Sequence, residues 1–180
     1  MSKIADTRRE AWLVLRVQSG DLPALDELLE VTLRWLHPFL VRLVADPDVV
    51  DDTLQEVLLR IYRKLRFLRD ARAYRAWVYR LAAREAIRNA RSERRRLQRE
   101  VDDEFLDTVA ESEPPKPLDG EVVALLREKT DMLTPNIRVV IVLHYFEGLS
   151  LRQVADVLEI AIGTAKSRLA AGLAEIRRGM

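Results

Sequence analysis

The amino-acid sequence contains no cysteine, which excludes disulfide bonds and metal sites built on thiolates. It also lacks any run of eighteen apolar residues, so no segment is expected to cross a membrane. The N-terminal segment MSKIADTRRE has none of the apolar character of a signal peptide. We therefore expect a cytoplasmic protein without membrane insertion, because a cysteine-free chain fits a reducing compartment.

Residue patterns that support catalysis are equally scarce. The two histidines, His37 and His144, lie in apolar stretches of different predicted domains, and each is expected to pack instead of acting as a catalyst or ligand. No Gly-rich phosphate loop, metal-ligand cluster or nucleophile–base pair stands out. The acidic run at residues 102–104 is expected to belong to a linker. We therefore predict a protein that is not an enzyme and needs no cofactor or metal.

Alternating strand patterns are rare, whereas a helical period is present in almost every segment. The sequence predicts an all-α fold with two small helical domains, residues 1–99 and 121–180. Residues 100–120 are acidic and hold three prolines within four residues, which indicates a linker between these domains. The predicted helices lie near residues 8–19, 21–45, 46–65, 74–96, 121–132, 135–146, 150–158 and 162–178.

The small net charge of the chain, +1, conceals a strongly basic block. Residues 60–99 hold 15 Lys and Arg against 3 Asp and Glu, a net charge of +12. Residues 100–120 hold 1 against 8, a net charge of −7. A polycation within a nearly neutral protein indicates a surface for phosphates, although a solvated helix face is the alternative.

The segment from Ser150 to Arg178 has the pattern of a helix-turn-helix. Ser150 and Gln153 have the spacing of a capping box, and residues 159–161 form a short turn. The second helix then places apolar residues on one face at steps of three and four. In a helix-turn-helix this second helix enters the major groove of DNA, and an ordinary helical hairpin is the alternative.

The stretch LTPNIRVVIVLHYFEGLSLRQVADVLEIAIGTAKSRL resembles the fourth conserved region of sigma factors. LuxR-type regulators share much of this pattern, so a LuxR-like transcription regulator stays open on this segment alone. In either case the resemblance implies DNA contacts from the helix-turn-helix. The residues that it assigns to them are Ser150, Gly163, Thr164, Lys166, Ser167 and Arg168.

The N-terminal part resembles the second conserved region of extracytoplasmic-function (ECF) sigma factors. The matching segments are GDLPALDELLE, DDTLQEVLLRIYRKL and YRAWVYRLA, in the family's order. The resemblance implies a sigma factor that binds core RNA polymerase and directs promoter recognition, DNA melting and transcription initiation. A sigma-like decoy that sequesters a regulator is a further alternative. Core polymerase and promoter DNA are the implied partners, together with an anti-sigma factor.

One face of the predicted helix 46–65 carries Asp52, Gln55, Glu56 and Leu59, spaced i, i+3, i+4 and i+7. An acidic face with an exposed leucine suits a basic helical partner, although a solvated face is the alternative. The resemblance implies that this face binds the clamp helices of the polymerase's largest subunit.

The basic block mixes cations with aromatic residues, as a groove for a melted strand requires. The resemblance implies that this block captures the minus-ten promoter element, while Trp77 is expected to be core. Two departures from the family pattern, at Ala83-Arg84 and at Arg88, prevent any transfer of promoter sequence. Glu159 stands where a turn glycine is usual. The predicted minus-ten contacts are Lys64, Arg66, Phe67, Arg69, Arg72, Tyr74, Arg80, Arg84, Arg88 and Arg91.

The acidic linker also gives an expectation for the free protein. Because it lies next to the polycation in sequence, and because the two domains can close around that polycation, free duplex DNA is expected to bind weakly.

Overall fold

The computed structural model describes residues 3–97 and 132–178 of the chain, all as helices, turns or connections and none as strand. The all-α prediction is therefore confirmed. The predicted linker lies outside the described residues, as does the helix predicted from residue 121 except for Met132. Within the described part, no helix is both long and apolar enough to span a bilayer.

The first four helices are α1 (Lys3–Gln18), α2 (Leu22–Leu43), α3 (Pro47–Lys64) and α4 (Tyr74–Leu97). They form an N-terminal bundle in which α1 packs on α2 and α3 packs on α4. Its core contains Leu13, Leu28, Phe39, Val57 and Val78, all fully buried. α1 begins at Lys3, earlier than the predicted start near residue 8, because residues 3–8 contain no proline or glycine that would interrupt the helix.

Two aspartates begin helices as the sequence predicts. Asp21 accepts a hydrogen bond from the amide of Ala24 (3.2 Å), and Asp46 accepts one from the amide of Asp48 (2.9 Å). In each case a proline follows within the first turn, where its missing amide proton costs nothing. Between α3 and α4 the chain makes two short 3₁₀ turns, Leu65–Phe67 and Ala71–Ala73.

The C-terminal bundle contains α5 (Pro135–Ile141), α6 (Leu151–Leu158) and α7 (Ile162–Arg178). α5 continues through one wide π-helical turn, Val142–Phe146, before the chain reaches α6. α7 packs on both α5 and α6, and its buried face contains Ala165, Leu169, Leu173 and Ile176, as the periodicity predicts.

The two bundles pack against each other. α4 contacts α5 and α6, and α2 contacts α5 and the π-helical turn. Arg138 of α5 is buried and donates a hydrogen bond to the carbonyl oxygen of Leu43 at the end of α2 (3.1 Å). The Tyr79 hydroxyl of α4 donates to a Glu147 carboxylate oxygen (2.6 Å). The apolar core is consequently continuous from one bundle to the other.

Candidate functional site

The outer face of α3 has the geometry that its sequence spacing predicts. Asp52 and Gln55 are exposed, and Leu59 keeps 39% of its surface accessible. Glu56 differs from its neighbours because it accepts a hydrogen bond from the Arg60 guanidinium (3.0 Å). The face therefore presents one carboxylate without a partner among the described residues, one amide and one leucine, beside a carboxylate that is already paired.

Arg60 also binds Glu85 of α4, a carboxylate that sequence reasoning did not single out. Glu85 is buried and lies 2.6 Å from an Arg60 nitrogen, and its second oxygen contacts Arg88. A buried carboxylate needs such partners because removal from water is otherwise costly. The sequence did contain a signal, since Glu85 is one of only three acidic residues in the basic block.

The connection between α3 and α4 exposes cations together with an aromatic ring. Phe67 keeps 66% of its surface accessible, and the Arg66 guanidinium lies 4.5 Å from the centre of its ring. The side chain of Gln18 holds this connection by donating to the carbonyl oxygens of Leu65 (3.0 Å) and Leu68 (2.8 Å). The cations that share this exposed surface are Lys64, Arg66, Arg69 and Arg72.

Tyr74 does not belong to that surface, and its predicted contact with DNA is wrong. Only 1% of the residue is exposed, and its hydroxyl shares a hydrogen bond with that of Thr32 (2.7 Å). Burial raises the pKa of this hydroxyl well above its ordinary value. Trp77 lies partly buried on the core with its ring 6.1 Å from that of Tyr74, which agrees with the core role expected for it.

Three arginines of α4, Arg80, Arg84 and Arg88, form an arginine stripe at successive four-residue steps. The stripe lines a cleft of about 720 Å³ between the two bundles, opposite Arg168 of α7. The rest of the cleft wall contains Asn136 and apolar side chains of both bundles, among them Ile87 and Val157. The backbone of Arg91 continues α4, whereas its side chain lies outside what the structure describes.

Part of the stripe is bound by the C-terminal bundle. Arg80 donates to a Glu159 carboxylate oxygen (2.7 Å) and to the carbonyl oxygens of Asp156 (2.9 Å) and Val157 (3.2 Å). Arg84 contacts the other carboxylate oxygen of Glu159. In the sequence Glu159 stands out only for its place in the turn, because a pairing across 75 or more residues leaves no periodic signal.

The helix-turn-helix forms where it is predicted, with a three-residue turn between α6 and α7. The Ser150 hydroxyl accepts from the Gln153 amide (3.3 Å), and the Gln153 side chain accepts from the Ser150 amide (2.9 Å), which completes the capping box. On α7, Gly163 and Lys166 are exposed while Thr164 and Ser167 are half-buried. Arg168 faces the cleft, so it is turned toward α4 in this arrangement.

Glu159 ends α6 in the left-handed region, with φ of 55° and ψ of 44°. It is the one residue other than glycine with positive φ among the described residues. A side chain is disfavoured there relative to glycine because its Cβ crowds the backbone. The departure from the family's turn glycine therefore places a glutamate in a backbone conformation that favours glycine.

Comparison with known proteins gives a family match for each of the two parts of the chain. The family model for sigma-70 region 2 matches residues 28–96, and the model for sigma-70 region 4 matches residues 124–176. The RNA polymerase sigma-H factor of Pseudomonas aeruginosa is 32% identical over 87% of this chain and 86% of its own length. The ECF RNA polymerase sigma-E factor of Haemophilus influenzae is 27% identical over 92% of each chain.

Two solved structures share the fold. Sigma factor RpoE of Bartonella quintana, in complex with the anti-sigma factor NepR, superposes with a TM-score of 0.61 and 25% identity, over 85% of this chain and 96% of that one. CnrH, in complex with the cytosolic domain of CnrY, superposes with a TM-score of 0.65 over 94% of this chain and 96% of that one, at 19% identity. The chain belongs to the sigma-70 family of RNA polymerase sigma factors and is of the ECF type.

This membership does not favour a LuxR-like regulator or a decoy. Sigma factors are regulators of transcription and not enzymes. In the part of the chain that the structure describes, no group of three or more acidic or imidazole side chains is arranged to hold a metal ion.

Proposed function

We propose that this chain is an ECF-type sigma factor that binds core RNA polymerase and directs it to promoters for melting and initiation. The observation that carries the proposal is the presence of both sigma-70 regions, in order, on one chain. Transcription in vitro tests it. Core polymerase with this protein should produce transcripts from a promoter of its own genome that core alone does not use. A protein that binds core without supporting any transcript would instead be a decoy.

The outer face of α3 is the proposed docking surface for core polymerase. Asp52 and Leu59 are the members of this face to test, because both are exposed and Asp52 has no partner among the described residues. Glu56 is a poor choice, since a lysine there would repel Arg60 and disturb the buried Glu85. An acidic face with a central leucine fits a basic helical partner.

We expect the variant Asp52→Lys with Leu59→Ala to bind core polymerase at least about tenfold more weakly, because it reverses one charge and removes the apolar contact at the centre of an interface. Fluorescence anisotropy with labelled protein and core polymerase measures the affinity. The matched control is Asp51→Lys, which makes the same charge change at the next exposed position of the helix. An affinity of the double variant equal to that of the unchanged protein would remove this face of α3 from the docking surface.

The exposed connection between α3 and α4 is the proposed site for the minus-ten strand, since it offers cations and the Phe67 ring to backbone and unstacked bases. α7 offers much less to the minus-thirty-five element. Ala171 and Ala174 are exposed on its outer face, and a methyl group can touch thymine but cannot make a bidentate base contact. Lys166 and the amides at the start of α7 can contact phosphates of the DNA backbone. Such contacts position the domain but do not specify the sequence.

We therefore expect promoter choice to depend mainly on the minus-ten element. Scrambling the minus-thirty-five element of a mapped promoter should reduce transcription in vitro by less than about tenfold. A bidentate base contact supplies about 1–3 kcal/mol of discrimination, and α7 has no long side chain at its outer alanines to make one. Scrambling the minus-ten element should cause a much larger loss. If the two losses are equal, Thr164 and Ser167 contribute more specificity than their chemistry indicates.

An anti-sigma factor is the proposed regulatory partner. Two proteins of the same fold were solved bound to another protein, and in one case a sigma factor is bound to a partner that is named an anti-sigma factor. Co-purification of this chain with candidate partners from its own organism tests whether such a protein exists for it.

A further inference from the structure

We propose that Glu159 takes the place of a DNA phosphate on the arginine stripe and so holds the free protein closed and weak in DNA binding. This inference rests on the proposed function, because it concerns the regulation of the same DNA-binding surface.

The geometry around Glu159 is that of an anion site already filled from within the chain. Its two carboxylate oxygens contact two different guanidinium groups, those of Arg80 and Arg84. Guanidinium groups bind carboxylate and phosphate with the same fork of donors, so a carboxylate can occupy the place of a phosphate. An arginine paired with Glu159 in this way binds a phosphate more weakly, because its charge is already partly neutralised.

Arg80 adds a second part to this contact. It donates to the carbonyl oxygens of Asp156 and Val157, which belong to the last turn of α6 and lack partners within that helix. A cation at this end of a helix is also favoured by the helix dipole. Arg80 therefore completes the C-terminal end of α6 only when the two bundles are closed.

The backbone conformation at position 159 indicates that local structure does not favour a glutamate there. The left-handed conformation at this position favours glycine, so a glutamate is accommodated at a conformational cost. The contacts with Arg80 and Arg84 offset that cost only in the closed arrangement.

A separate set of contacts holds the bundles together without using the stripe. The Tyr79 hydroxyl donates to Glu147, and Arg138 donates to the carbonyl oxygen of Leu43. Both contacts are largely buried. These residues allow closure to be weakened while the charge of the DNA-binding surface stays the same.

The first experiment measures the affinity of the full chain for a short duplex of unrelated sequence, by anisotropy over a range of salt concentrations. We expect Glu159→Gln to bind about three- to tenfold more tightly at low salt, because two arginines become available. The slope of log K against log salt should steepen by about two, at roughly 0.9 for each additional phosphate that the protein neutralises.

The matched control is Asp156→Asn. Asp156 is exposed, and its replacement removes the same charge three residues away, but its side chain has no contact with the stripe among the described residues. We expect less than about a twofold change for this variant, since an exposed charge without a direct arginine partner interacts only weakly through water. An equal gain for Glu159→Gln and Asp156→Asn, or no change in the salt slope of Glu159→Gln, would overturn the proposal.

The second experiment measures the distance between the bundles. Because the chain contains no cysteine, cysteines placed at the exposed positions Ser19 and Ala171 can carry a donor and an acceptor dye for energy transfer. We expect Glu159→Gln and Tyr79→Phe each to shift the molecules toward longer distances. Tyr79→Phe should also bind the unrelated duplex more tightly, although it changes no charge.

A Tyr79→Phe variant that opens without any gain in DNA affinity would show that closure does not block the stripe. These measurements need no polymerase, so their failure leaves the proposed function intact. Conversely, a protein that supports no transcription in vitro could still show the Glu159 effect.

Discussion

Replacing Glu10 with alanine is expected to destabilise the protein by about 3–5 kcal/mol, which is the range for removing one partner of a buried ion pair. The Glu10 side chain is fully buried. It binds the Arg75 guanidinium at 2.5 Å and accepts a hydrogen bond from the Trp35 indole at 2.9 Å. Without Glu10, a half-buried guanidinium and an indole nitrogen lose this acceptor in a region with little access to water.

Urea unfolding of the full chain, followed by circular dichroism, measures this loss. The control is Glu27→Ala, which removes the carboxylate that Arg9 binds at the surface, where both side chains are more than a third exposed. Pairs of that kind contribute at most about 1 kcal/mol. Similar losses for the two variants would mean that Glu10 does not hold α1, α2 and α4 together as the contacts indicate.

The second large effect is expected at Gly172 of α7. An alanine Cβ at this position would lie 2.6 Å from Cγ2 of Ile137 and 2.6 Å from Cδ1 of Ile141. Both isoleucines belong to α5, and overpacking of such a contact costs about 1–3 kcal/mol. The substitution also gains about 1 kcal/mol of helix propensity, so a net destabilisation shows that packing outweighs propensity.

Gly163 provides the control for Gly172, because it lies in the same helix and, apart from its chain neighbours and the backbone of that helix, no described atom comes within 4 Å of the place that a Cβ would occupy there. We expect Gly163→Ala to be neutral or stabilising by up to about 1 kcal/mol, and Gly172→Ala to lower the urea midpoint. A stabilised Gly172→Ala would mean that α5 moves away from α7 at no cost.

The helices and the helix-turn-helix could be predicted from the sequence because their signals are local. Asp21, Asp46 and Ser150 each mark a helix start through a hydrogen bond to a residue two or three positions later. The buried face of α7 follows from its period for the same reason. Gly172 shows the limit of such signals, since a glycine in the sequence suggests only a weak point in a helix, whereas the structure shows a close approach of α5.

Tyr74 and the arginine stripe show what the sequence could not determine. A tyrosine beside cations has the same local pattern whether it stacks on a base or enters the core, and only the tertiary neighbour Thr32 decides. Likewise, the four-residue spacing of Arg80, Arg84 and Arg88 places them on one side of α4 but does not indicate which residues they contact. Glu159 is distant in sequence, so its pairing depends on how the two bundles meet.

The packing of the two bundles within one chain has a consequence for any partner that must separate them. Residues 98–131 join the bundles covalently, so each experiences the other at an effective concentration of up to the order of millimolar. Contacts too weak to hold two separate proteins together can therefore keep this molecule closed. A competitor at about one micromolar must bind its surface roughly a thousandfold more tightly than the bundles bind each other to open half of the molecules.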